Sequence, residues 1–177
     1  MRLKICKGCG EKFAPERPLQ IVCGVPCAWA YKAKQDAKAD RRLTREAKAK
    51  LKTRREWLRE AQAAFNRFIR LRDAGKPCIS CGRHHQGQYL AGHYLSTGAR
   101  PELRFSELNV HLQCAPCNNH LSGNIVLYRK GLIGKIGQES VDWLEGPHEA
   151  KHYSIDELKA IKAEYTRKAK ELEKANG

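Results

Sequence analysis

Eight cysteines stand in two quartets, Cys6, Cys9, Cys23 and Cys27, then Cys78, Cys81, Cys114 and Cys117. Each quartet opens on Cys-x-x-Cys and closes on a second close pair, the spacing at which two thiolates from one tight turn meet two from another around tetrahedral zinc. Disulfides are the competing use of paired cysteines. They fit poorly, because the chain opens on MRLKIC without an apolar leader and is expected in a reducing compartment, where clustered cysteines serve as metal ligands. One or two structural zinc ions are therefore expected, the first quartet having the looser spacing.

The second quartet encloses more than a linker. Cys81 and Cys114 are separated by 32 residues, against roughly 15 to 20 in a simple zinc ribbon. Inside lie His93, Asn109 and His111, with Asn118 and His120 just after Cys117. A histidine beside a metal or a phosphate is a candidate general base. Tyr89 to Tyr94 and Asn109 to Gln113 read as short strands, and Pro116 marks the start of a helix carrying Cys117. The expected module is strand, strand, helix with zinc stapling its outside. His84 and His85 read as loop residues, and His148 and His152 lie outside the module without a role.

Longer elements must position these groups. From about Ala28 to Asp73 there is neither Pro nor Gly, and the stretch is rich in helix formers, which predicts one long helix, with a break left open. Its first half is cationic, with Lys38, Arg41, Arg42, Arg45, Lys48, Lys52 and Arg55 as candidate contacts to DNA backbone; a merely solvated face is the alternative. Its second half carries Trp57, Ala61, Ala64, Phe65 and Phe68 at helical spacing and should pack. Ala74-Gly75-Lys76-Pro77 ends it. Gly123 to Gly137 reads as a short apolar helix broken by glycines and Gln138 to Glu145 as another. Ser154 with Glu157 forms a capping box for a closing helix, expected to pack on the Trp57/Phe65 stripe or on a second subunit. The expected class is α+β, mostly helical. Its parts are a zinc knuckle (1–30), a long basic helix (31–75), a zinc-framed module (76–135) and a C-terminal helical segment (136–177).

Composition bounds the partner. Thirty-four Lys and Arg against 19 Asp and Glu give a formal charge of +15 over 177 residues, as expected of a chain that neutralises phosphates. No apolar run approaches the roughly 20 residues of a membrane span, which excludes an integral helical membrane protein.

GHY at 92–94, NVHLQC at 109–114 and CAPCNNHLSGN at 114–124 resemble the HNH endonucleases, a ββα-metal fold. Together with the cysteine-bearing N-terminus, the basic helix and a closing helix containing KAIKAEY at 159–165, the whole chain resembles the phage NinG/Rap recombination protein family. That resemblance implies a metal-dependent, structure-selective endonuclease acting on branched DNA such as Holliday junctions or D-loops, in the cytoplasm of a bacterial host. It implies His93 as the base, Asn109 as the brace of the loop that orients it, and Asn118 as the third motif residue, beside a catalytic Mg²⁺ or Mn²⁺. His111 and His120 are additional candidate ligands. Many HNH motifs place an acid immediately before the histidine, where this chain has Gly92, and from Ala74 to Gln138 the only acids are Glu102 and Glu107. The alternatives are a non-catalytic zinc-containing DNA-binding recombination accessory protein and, third, an RNA-binding or adaptor protein. A two-fold dimer would suit a symmetric junction.

Overall fold

The structure, a computed structural model, describes residues 3–175. The chain forms two compact units, Met1–Lys52 and Thr53–Gly177. The division falls within the stretch read as one helix, and away from the boundaries expected at 30/31 and 75/76. Lys52 leaves the helical region (φ −67°, ψ 132°), and Thr53 starts a new helix with a capping box. Its hydroxyl accepts from Glu56 N at 3.3 Å, while the Glu56 carboxylate accepts from Thr53 N at 2.7 Å. The local signal Thr53-x-x-Glu56 thus overrides an unbroken run of good helix formers.

In the first unit a two-residue antiparallel ladder, β1 (Lys4–Ile5) with β2 (Lys12–Phe13), brackets the turn that carries Cys6 and Cys9. Gly10 closes that turn at φ 87°, a conformation that favours glycine. Helix α1 (Val25–Leu51) starts with Pro26 in its first turn, as the sequence indicates, and buries none of its residues. Among the described residues of this unit, Cys6 is the buried hydrophobic one. The thiol cluster is in effect its core, and a metal held there would substitute for the apolar burial that so small a segment lacks.

The second unit packs α2 (Arg54–Arg72) against α5 (Ile155–Ala175). Their seam is aromatic: Phe65 and Tyr165 meet edge to face with centroids 4.7 Å apart, and Phe68 lies 5.3 Å from the same ring. The closing helix therefore finds the Trp57/Phe65 stripe within its own chain. Ser154 caps it as expected, accepting from Glu157 N at 3.2 Å. Strands β3 (Tyr89–His93) and β4 (Val110–Cys114) pair antiparallel, with Gly92 opposite His111 and His93 opposite Val110. A second core, under α3 (Ile125–Ile136) and α4 (Gln138–Glu145), gathers Tyr94, Leu103, Tyr128, Leu132, Val141 and Leu144.

Two local expectations are corrected. Pro116–His120 is a π turn in place of a regular helix, closed by Leu121 N to Pro116 O at 3.1 Å, and Ser122, Gly123 and Asn124 follow with positive φ. The wider turn seats Cys117 in the thiol cluster. Helix α3 is not broken at its internal glycines. Gly131 is where it touches the Cys78–Cys81 turn, because a Cβ there would lie 2.0 Å from Ile79 O.

Candidate metal centres and the histidine site

Both quartets close. In each, the four sulfurs lie within 4.8 Å of one another, and all eight cysteines are free thiols. Zinc with sulfur at about 2.3 Å requires sulfurs about 3.8 Å apart. The separations are 3.8 Å for Cys9–Cys23, 3.4 Å for Cys23–Cys27 and 4.0 Å for Cys81–Cys114. Backbone amides already point at the clusters: Gly8 N and Cys23 N donate to Cys6 Sγ at 3.3 Å each, and Cys114 N donates to Cys78 Sγ at 3.4 Å.

Burial would raise the Cys6 thiol, but the amides of Cys9, Cys23 and Gly8 outweigh it and hold it at about 6. Cys78 is lowered in the same way, against its burial, by the amides of Cys114, Cys81 and Ser80. Their partners move the other way. Cys23 is pushed up to about 12, chiefly by Cys27 and Cys6, and Cys114 to about 12 by burial and by Cys78 and Cys117. Within each quartet the thiol that the amides favour as thiolate faces others held as thiols, and a cation at the centre would favour all four as thiolates, the chemistry of a structural zinc site.

The sequence missed His85, read as a loop residue. Its Nε2 lies 3.2 Å from Cys81 Sγ, and Asn124 Nδ2 donates to Cys117 Sγ at 3.5 Å. Both reinforce the second cluster from outside.

His93 ends β3. Its Nε2 is 3.1 Å from Arg104 O; a carbonyl only accepts, so Nε2 carries the proton and Nδ1 keeps its lone pair. Burial lowers its pKa, which favours the uncharged ring. Asn109 is fully buried and pins the loop that supplies Arg104. Leu95 N donates to its Oδ1 at 2.8 Å, and its Nδ2 donates to Leu95 O at 2.9 Å and Leu103 O at 3.2 Å. Asn118 stands apart on the π turn, its amide donating to Asn119 Oδ1 at 2.8 Å. His120 is exposed at the end of that turn.

His111 is not available as a ligand. It is buried, with Nε2 3.1 Å from Leu108 O and Nδ1 3.0 Å from Arg72 Nη2. It belongs to a charge network centred on Asp73, which is fully buried. Asp73 pairs with Arg72 at 2.8 Å, Lys135 at 3.0 Å and Lys76 at 3.2 Å, and accepts from Leu112 N at 3.2 Å. Burial would raise its pKa, but His111, Arg72 and Lys135 hold it far below the usual carboxylate range. Arg72 and Lys76 flank Asp73 at the helix end and are the local hint of this; Lys135, His111 and Leu112 come from distant segments.

The acid missing at Gly92 has a packing cause. A Cβ there would lie 2.1 Å from Gln113 Oε1. The Gln113 amide fills that face, donating to Ser80 Oγ at 2.7 Å and Gly123 O at 2.5 Å, with Oε1 buried and unpartnered among the described residues. Glu107 is held by Lys168 at 2.9 Å, and Glu102 lies 3.6 Å from Arg100. Among the described residues the two cysteine quartets are the clusters of three or more His, Cys, Asp or Glu side chains that could hold a metal ion. The groups around His93 do not compose the carboxylate-bearing oxygen shell that Mg²⁺ or Mn²⁺ takes.

Among the cations expected to meet DNA, Lys38, Arg41, Arg42 and Arg45 line one groove of about 510 Å³ on α1. Lys48 is on the same helix and Lys52 at its C-cap, whereas Arg55 belongs to α2 in the other unit. Among the described residues no helix is long and apolar enough to cross a membrane.

A family profile described as "Bacteriophage Lambda NinG protein" matches residues 1–176. The chain belongs to the NinG family. Its similarity to the protein named ninG of Escherichia phage 933W is 43% identity over 185 aligned positions, covering 94% of this chain and 92% of that protein. The ninG protein of Escherichia phage lambda is 54% identical over 125 residues, covering 71% of this chain and 61% of the relative; that of Salmonella phage P22 is 51% identical, covering 71% and 62%. The matched part thus spans under two thirds of the lambda and P22 relatives. No solved structure matches this NinG-family chain.

Proposed function

We propose that this NinG-family chain is a structure-selective DNA endonuclease of the HNH type that acts on branched recombination intermediates. The observation that carries the reading is His93: an imidazole with Nε2–H fixed on Arg104 O and Nδ1 without a hydrogen bond among the described residues, on a strand held by the Asn109-braced loop inside a thiol-stapled β3–β4 module. In this reading Nδ1 takes a proton from the attacking water, the oxygen adds to phosphorus, and the P–O3′ bond breaks with the 3′ oxygen taking up a proton from solvent, giving 5′-phosphate and 3′-hydroxyl ends. The preference for junctions and D-loops rests on the family resemblance. The unpacked α1 would add salt-sensitive, sequence-blind affinity through Arg41, Arg42 and Arg45. Two copies could cut opposed strands of a symmetric junction.

Cleavage of a four-way junction and of linear duplex, each with Mg²⁺, Mn²⁺ or chelator, tests this. His93→Ala should abolish cutting and retain junction binding; undiminished cutting refutes the assignment. A second reading, a non-catalytic DNA-binding accessory protein, is favoured by one observation: Gln113 fills the face where a ligand carboxylate would stand. Junction binding without cutting under every cation would establish it. Charge reversal at Arg41, Arg42 and Arg45 should weaken binding and flatten its salt dependence in either case.

A further inference from the structure

Helix α2 carries a second stripe besides the one it buries. Arg55, Arg59, Gln62 and Asn66 recur at i, i+4, i+7 and i+11 and so share a face. At 1.5 Å per residue the stripe is about 16 Å long. It forms one wall of an open groove of about 710 Å³, and Arg104 contributes to the other.

The charges of this groove are unbalanced. Arg55 and Arg59 are exposed, and neither has an ion pair among the described residues. Arg104 spends its guanidinium on neutral acceptors, Gln62 Oε1 at 3.2 Å and Thr97 O at 3.4 Å. The acid that lines the groove, Glu56, is turned back onto Thr53 N and Oγ1 at 2.7 and 2.8 Å. Gln62 Nε2 donates to Asn66 Oδ1 at 2.8 Å, which orders the two amides side by side. Two guanidiniums and two amides in a row, faced by the guanidinium of Arg104, form a surface for a polyanion. A strand rising about 3.4 Å per nucleotide would lay roughly five phosphates along it.

Arg104 also joins this groove to the histidine. Its side chain lines the groove while its carbonyl accepts the Nε2–H of His93. We propose that the groove holds the sugar-phosphate backbone of the DNA strand presented to His93, a binding site built from α2 and the Arg104 loop and additional to the cations of α1. The inference rests on the DNA reading above and adds where the second unit grips its substrate.

The experiment uses the full chain, a fluorescein-labelled four-way junction, and anisotropy titrations at 50 and 200 mM salt. Arg55→Ala/Arg59→Ala removes two exposed, unpaired side chains, so melting should match the parent. If both contact phosphate, the slope of log K against log salt falls by about 1.8. Over that fourfold rise in salt, the variant then loses about twelvefold less affinity than the parent. In parallel, phenylglyoxal modification read by mass spectrometry should show Arg59 protected by the junction in the parent protein. An unchanged slope with Arg59 unprotected, while Arg41→Ala/Arg42→Ala/Arg45→Ala does flatten the slope, overturns the groove and leaves the DNA reading standing. A parent protein that does not bind the junction refutes both.

Discussion

Gly92→Ala probes the point at which this chain departs from the motif it resembles. The added Cβ would sit 2.1 Å from Gln113 Oε1 and 3.0 Å from its Cβ and Cδ, where ordinary contact begins at 3.4 Å. The 1.3 Å shortfall (3.4 − 2.1) is not relieved by a simple rotation, because the Gln113 amide is fastened to Ser80 Oγ and Gly123 O. Either those buried hydrogen bonds yield or β3 moves off β4. Overpacking of this kind costs about 1–3 kcal/mol, against which alanine recovers about 0.5–1 kcal/mol of strand entropy. A net loss of about 1–2 kcal/mol is expected.

Gln113→Ala alone removes two buried hydrogen bonds and leaves a void, a loss of about 2–4 kcal/mol. In that background the alanine at 92 has room, so the overpacking cost should vanish, its gain of about 0.5–1 kcal/mol should remain, and a coupling of about 1–3 kcal/mol should emerge from the double-mutant cycle. The assay is urea unfolding at fixed excess zinc in a Trp29→Phe background. Trp57 and Trp143, the other two of the three tryptophans, then report on the second unit alone. Additivity of the two substitutions within about 0.5 kcal/mol would refute the claim that Gln113 excludes a side chain at 92.

Three further outcomes follow from the geometry. Asp73→Asn leaves Arg72, Lys76 and Lys135 without their shared carboxylate and should destabilise by about 3 kcal/mol in urea. Because the folded pKa of Asp73 is depressed, below about pH 4 the unfolded chain takes up a proton that the folded chain refuses. Parent stability therefore falls with pH there, and the gap to Asp73→Asn should narrow; a constant gap from pH 5 to pH 3 would contradict the network. Metal analysis should find two zinc ions per chain, and Cys78→Ser should leave one. Gly8→Ala, whose Cβ would lie 2.6 Å from Cys27 Cβ, should weaken the first site; unchanged zinc affinity would disprove that packing. If His93 is the base, its lowered pKa places the acidic limb of the cleavage profile below about 6.5, and a limb above that value would show that another group titrates.

Where information is local, the sequence was a good guide. Pro26 at the start of α1, the Ser154/Glu157 box of α5 and Gly75 after α2 are signals read within a few residues, and the structure carries each of them. The break at Thr53 had an equally local signal that was outvoted by composition. The π turn at Pro116–His120 did not, because its width answers to where Cys117 must reach.

The sequence by itself determined the two cysteine clusters, the cationic face of α1 and the apolar stripe of α2, since ligand spacing, charge and helical period are properties of neighbouring residues. Only the tertiary structure decided what the polar groups of the module do. It tied His111 to Asp73, paired Glu102 and Glu107 with cations, and laid Gln113 over Gly92. It also drew Arg104 into one groove with Arg55 and Arg59. A buried donor or charge takes whichever partner the packed chain brings within reach, and, apart from Arg100 beside Glu102, those partners are far away in sequence.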